Sequence, residues 1–185
     1  MSMYATRRSS RRTESRRRVL DAVRALLEEG AFHESTVEEV ADRAGVSRAT
    51  VYGHFGSRVG LVDAVCEVFD ATPSLAAVRV TESVDAFVAA VVGFWASEEK
   101  LLVQLYGAAA VDPAAAAFVE RQRRDRYSEV RRILRLCGRD DPEAFAALAL
   151  LTSFESYLEL RRHAGRSRAA VTGELTRAAH RLIEG

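Results

Sequence analysis

An all-α fold is predicted by three features of the sequence. Only three prolines occur in 185 residues, apolar side chains recur at steps of three and four along most of the length, and several short stretches carry helix-start punctuation. The spacing predicts about nine helices, with a small N-terminal domain preceding a larger C-terminal one. A hydrophobic content of 48% argues against disorder, and the length suits one ordinary domain or two small ones sharing a core.

The chain opens on a basic segment. Arg7, Arg8, Arg11, Arg12, Arg16, Arg17 and Arg18 face only Glu14, whereas the remainder is slightly acidic and the net charge is +1. Residues 1–12 read as an unstructured arm, suited either to attracting phosphate and an adjacent minor groove or to acting as a solubilising tail. Val19, Leu20, Val23, Leu26 and Leu27 then share one helical face, which Gly30 ends as a left-handed cap with Phe32 packing beyond it.

The stretch Ser35 to Phe55, STVEEVADRAGVSRATVYGHF, holds two short helices and a tight turn. Thr36 and Glu39 form a capping box, Gly45 supplies the turn, and Ser47 caps a second helix reaching about His54. Val37, Val40, Val46, Val51 and Phe55 can close a small core. Ala49 and Gly53 then lie on the opposite side, where small residues let a backbone approach base edges. This is the helix-turn-helix pattern, whose second helix enters the DNA major groove. Arg48 is the candidate base reader, since a guanidinium can make two hydrogen bonds to guanine, and Thr50, Tyr52 and His54 are candidates for phosphate contacts. A capped helix pair around valines is also what any small helical core looks like.

The segment TVEEVADRAGVSRATVYGHFGSRVGLVDAV resembles the tetracycline-repressor (TetR) family of transcription regulators over about Arg17 to Val65. The resemblance implies an N-terminal DNA-binding domain, a C-terminal ligand-binding domain, a homodimer, and repression relieved by a small molecule. By position, it places DNA contacts on Thr36, Ser47, Arg48, Ala49, Thr50, Tyr52, His54 and Arg58. The chain departs from the pattern at Gly53 and at Val59-Gly60. The expected organisation is a basic arm at 1–12, a DNA-binding domain at 13–58, and a ligand-binding and dimerisation domain at 59–185.

Beyond Phe55, Ser57 can cap a fourth helix through about Phe69, whose start and Arg58 would face phosphate in the family's geometry. Thr72-Pro73-Ser74 reads as a loop. Val84, Phe87, Val88, Val91, Val92 and Trp95 form a wide apolar stripe, and Leu101 to Ala110 is another apolar helix. Asp112-Pro113 restarts a helix that runs toward Cys137, with a charged stretch from Glu120 to Arg126 read as a solvated face and Gly138 as its stop. Asp141-Pro142 opens the next helix, apolar on nearly every side from Phe145 to Phe154. Ser167 caps the last, with Val171, Leu175, Ala178 and Leu182 in line. The apolar surface of Phe145 to Leu160 exceeds what one small domain hides, and by family resemblance the last two helices pair with a second copy.

Phe87, Phe94, Trp95, Leu105, Tyr106, Phe118, Tyr127, Phe154 and Tyr157 are core aromatics and apolar residues that the resemblance also makes candidates for a ligand cavity. The expected ligand is small and mostly apolar, with Trp95, Tyr106 and Tyr157 as polar handles. Cys66 and Cys137 read as buried thiols. No zinc spacing, phosphate loop or HExxH pattern accompanies the four histidines, so no metal, cofactor or catalytic residue is assigned, and a small helical enzyme remains a weaker alternative. A DNA-binding protein indifferent to sequence is the other. No apolar run reaches membrane-spanning length, which leaves a cytoplasmic protein as the expectation.

Overall fold

The computed structural model describes the backbone of residues 3–184 apart from 33, 71 and 140, and side chains over 9–183 apart from those three and 66–70. Among the described residues there are eleven α-helices, one π-helical turn and no strand. They are α1 (Met3–Glu28), α2 (Val37–Ala44), α3 (Arg48–Phe55), α4 (Arg58–Asp70), α5 (Pro73–Arg79), α6 (Val84–Ser97), α7 (Glu99–Ala108), α8 (Pro113–Leu136), α9 (Pro142–Leu151), α10 (Phe154–Leu158) and α11 (Arg168–Glu184), with the π turn at Glu159–His163.

The two helices beyond the expected nine have local causes. The Thr72 hydroxyl accepts the Leu75 N–H at 3.4 Å and Pro73 takes the first helical position, so the expected loop is the start of α5. Downstream, α9 stops at Leu151, and the Ser153 hydroxyl accepts the Ser156 N–H at 3.0 Å to start α10.

The chain forms two compact units: Met1–Phe69 with Lys100–Val119, and Asp70–Glu99 with Glu120–Gly185. The boundary of these units does not coincide with the expected division at 58/59: residues up to Phe69 and Lys100–Val119 cluster with the N-terminal helices. In the first unit, Val19, Leu20, Val23, Leu26 and Leu27 on α1 are buried with Phe32, Val40 and Val51. Each such side chain contributes about 1.5–3 kcal/mol when fully buried. Gly30 adopts φ +75, the left-handed cap expected of it. Residues 3–12 do not form the expected unstructured arm, since α1 begins at Met3. No glycine or proline interrupts them. Thr13 and Ser15 donate back to the carbonyls of Ser9 and Arg12, at 3.1 and 3.0 Å, as hydroxyls do inside a helix.

In the second unit, α6 buries Val84, Phe87, Val88, Val91, Val92, Phe94 and Trp95. The α11 stripe runs through Val171, Leu175 and Ala179, whereas Leu182 is 42% exposed; a repeat of 3.6 residues turns the expected line through Ala178 and Leu182 off the core. Cys137 is exposed rather than buried, because the α8 stripe ends at Leu134 and Gly138 (φ +70) closes the helix one residue later. The expectation for Cys66 falls outside the described side chains. No single described helix is long and apolar enough to cross a membrane.

Candidate nucleic-acid interface and interior cavity

The turn between α2 and α3 is built from local bonds. Thr36 accepts the Glu39 N–H at 3.2 Å, and Glu39 accepts the Thr36 N–H at 2.6 Å, which holds the Glu39 carboxyl below the usual carboxylate range. Gly45 at φ +62 caps α2, and its carbonyl accepts from the Arg18 guanidinium of α1 at 3.0 Å. The Ser47 hydroxyl accepts the Thr50 N–H at 3.2 Å to start α3. Val51 is the buried anchor of α3, and α1, α2 and α3 pack against one another.

Burying Val51 turns the rest of α3 outward. Ser47, Arg48, Ala49, Tyr52 and Gly53 are exposed, and no atom lies within 4 Å of where a Gly53 Cβ would stand. Thr36 is exposed at the start of α2, while Thr50 is half-buried with its hydroxyl 2.8 Å from that of Ser47. Arg48 lies 5.5 Å from the Tyr52 ring centroid and 3.5 Å from a Glu38 carboxylate oxygen, with its side chain 56% exposed. An exposed pair of that kind is worth at most about 1 kcal/mol, so the guanidinium is oriented yet cheaply released to a new acceptor.

His54 is drawn toward α1. The Ser15 hydroxyl donates to the Arg12 carbonyl, which leaves its oxygen to accept from Nε2–H of His54 at 2.8 Å. Arg16 stands 5.5 Å from the neighbouring Phe55 ring. Burial, followed by the charges of Arg12 and Arg16, holds the His54 pKa below the ordinary histidine value. The α1 arginines therefore sit beside the far end of α3, a clustering that sequence reading had placed on a separate arm.

Arg58 departs from the expectation of a DNA contact. Its guanidinium donates to the carbonyls of Ser35, at 2.5 Å, and Phe32, pairs with Asp112 at 3.3 Å, and lies 4.1 Å from the Phe32 ring centroid. Those partners engage both terminal nitrogens of the guanidinium inside the first unit.

The residues expected around a ligand separate. Leu105, Tyr106 and Phe118 belong to the first unit, where Leu105 and Phe118 are core. Phe87, Phe154 and Tyr157 are fully buried packing in the second unit, and Tyr127 meets Phe145 edge-on at 5.3 Å. Phe94 and Trp95 do line a cavity of about 140 Å³, together with Leu75, Val78, Val91 and Gln122. Two expected polar handles are already engaged: the Trp95 indole N–H donates to the Thr152 carbonyl at 3.1 Å, and the Tyr157 hydroxyl donates to Glu99 at 2.6 Å. Burial alone would raise the Glu99 pKa, but bonds from Tyr157 and Arg162 outweigh it and hold the carboxyl below its usual value.

Residues 19–65 match the bacterial regulatory proteins of the tetR family. Over 49 residues the chain is 39% identical to the HTH-type transcriptional regulator YvkB of Bacillus subtilis (strain 168), itself uncharacterized; the match covers 26% of each chain. The fold is shared more widely. A transcriptional regulator from Rhodococcus sp. Rha1 superposes with a TM-score of 0.69 at 18% identity, over 92% of this chain and 96% of that one. A TetR-like transcriptional regulator from Rhodococcus sp. RHA1 gives 0.62 at 20% identity, over 92% and 96%. A protein from Saccharomonospora viridis in complex with choline gives 0.61 at 16% identity, over 93% and 96%. Residues 19–65 thus carry the sequence of a tetR-family helix-turn-helix, and the chain as a whole shares the helical fold of these solved regulators.

Proposed function

We propose that this chain is a ligand-responsive transcription regulator, acting in the cytoplasm as a homodimer on a pseudo-palindromic operator and performing no catalysis. The outward face of α3 carries the reading: an arginine, a tyrosine and an unobstructed glycine surround a helix whose only buried residue is Val51. Two copies related by a two-fold axis would set two such helices into successive major grooves. Dimerisation through α9–α11 is supported by apolar side chains left uncovered there, with Leu150 68% and Leu182 42% exposed. Release by a small molecule is supported by the cavity of the second unit and by the choline bound to a structural relative. Selection of bound fragments from the source genome tests the whole reading. An inverted repeat supports a specific dimer, and retention of random duplex equally well replaces it with a sequence-indifferent binder.

Arg48→Ala is expected to weaken operator binding by about 1–3 kcal/mol and to relax choice at one base position, measured by anisotropy against single-base operator variants. Full sequence preference in the mutant would remove Arg48 from base reading.

His54 makes binding pH-dependent. Its depressed pKa keeps it neutral in the free protein near pH 7, and neighbouring phosphate would favour the charged form, so binding takes up a proton. Affinity at constant ionic strength should rise as pH falls through the ordinary histidine value, and His54→Gln should flatten that rise. Stability moves the other way. The unfolded chain binds the proton more readily, so the folded state loses the His54 contribution as pH falls from the ordinary histidine value through the depressed one.

A further inference from the structure

We infer that the second-unit cavity binds a compact, uncharged, single-ring organic molecule bearing one hydroxyl or carbonyl group, held by the side-chain amide of Gln122. As the effector of DNA binding, this molecule rests on the regulator reading; as a bound ligand, it rests on the cavity alone.

Size comes first. An apolar cavity close to 150 Å³ accommodates benzene, so about 140 Å³ has room for one ring with a small substituent. Leu75, Val78, Val91, Phe94 and Trp95 give the body of the ligand apolar and aromatic walls.

The charges of the lining balance, which favours an uncharged ligand. The lining includes Arg79, Arg126, Asp125 and Glu129, two cations and two anions. Three of the four are engaged. Arg126 donates to the Ala149 carbonyl and the Thr152 hydroxyl, Glu129 accepts from Arg132 at 2.7 Å, and Arg79 also has a partner. Asp125 is exposed to solvent.

Gln122 supplies the specificity. It is only 5% exposed, lines the cavity, and has no side-chain hydrogen bond among the described residues. Its amide is not sealed in protein but opens onto the accessible space, and as both donor and acceptor it favours a ligand bearing a hydroxyl or carbonyl over one that offers neither. It stands in the charged run from Glu120 to Arg126, which sequence reading had assigned to solvent.

Trp95 is the only tryptophan and forms part of the wall, so its fluorescence reports occupancy directly. The full-length protein is titrated with phenol and with toluene, exciting at the red edge of the indole band where neither probe absorbs. Saturable binding of phenol about tenfold or more tighter than toluene is expected, and Gln122→Leu should erase or reverse that preference. Equal affinities, saturation by neither probe, or an unchanged preference in Gln122→Leu would overturn the assignment. If Gln122→Leu does not fold, the wild-type ratio alone decides. Operator affinity is measured separately. Phenol binding with no effect on it removes the regulatory role and keeps the ligand site, whereas failure to bind any operator sinks the regulator reading without altering the fluorescence result.

Discussion

Arg58→Ala is expected to destabilise the first unit by about 3 kcal/mol, seen as a lower denaturant midpoint at unchanged slope by circular dichroism. The guanidinium donates to two carbonyls between α1 and α2, pairs with Asp112 ahead of α8 and covers the Phe32 ring. Its side chain is 29% exposed and that of Asp112 12%, so removing the cation leaves poorly hydrated acceptors and a carboxylate without its partner. Arg58→Lys should recover little, because one ammonium cannot span acceptors that a planar fork reaches together. A direct phosphate contact predicts a different result: unchanged unfolding, with a salt dependence of operator binding reduced by about one phosphate's worth. The structure favours the first, which makes Arg58 a tie between the segment leading into α2 and the α7–α8 connection. Any shift of that connection would then be felt at the base of the helix-turn-helix.

The parts of this interface that were legible in the sequence are those whose causes lie within a few residues. Thr36 with Glu39, the φ-positive Gly45 and Ser47 with Thr50 are short-range chemistry, and the side of α3 left open follows from which residue is buried. The role of Arg58 was not legible, because its partners lie 23, 26 and 54 positions away, and an arginine just after a helix-capping serine reads equally well as a phosphate ligand. Charge misled in two further places. Residues 3–12 are polar and basic yet contain no helix breaker, so α1 extends through them. Gln122 is surrounded in sequence by arginines and acids, but it falls on the inward face of α8 and lines the cavity. The aromatic residues pose the opposite difficulty: helical spacing identifies them as interior and cannot separate those filling a core, such as Phe87 and Phe154, from those facing a cavity, such as Phe94 and Trp95.

Gly60→Ala is expected to cost about 3 kcal/mol or more in stability and to weaken operator binding as well. A Cβ built on Gly60 would fall inside the van der Waals shell of the Phe55 carbonyl oxygen and 3.0 Å from the carbonyl carbon. That carbonyl belongs to the last residue of α3, so a flexible side chain cannot absorb the clash. Either the corner at Gly56-Ser57 opens, tilting α3, or the first turn of α4 unwinds and gives up the bond from the Gly60 N–H to the Ser57 hydroxyl at 3.1 Å. Both outcomes disturb the position from which Arg58 makes its bonds. At Gly60 the departure from the family pattern therefore has a steric cause in this chain, whereas Val59 is exposed and has none. Gly53→Ala is the control, because its Cβ meets nothing within 4 Å. An alanine there should strengthen α3 by up to about 1 kcal/mol while adding bulk to the outward face proposed to meet DNA, so stability rises as operator affinity falls. Thermal unfolding and anisotropy on both variants separate the two effects. If Gly60→Ala unfolded at the wild-type temperature with full operator affinity, the tight corner between α3 and α4 would not exist in solution.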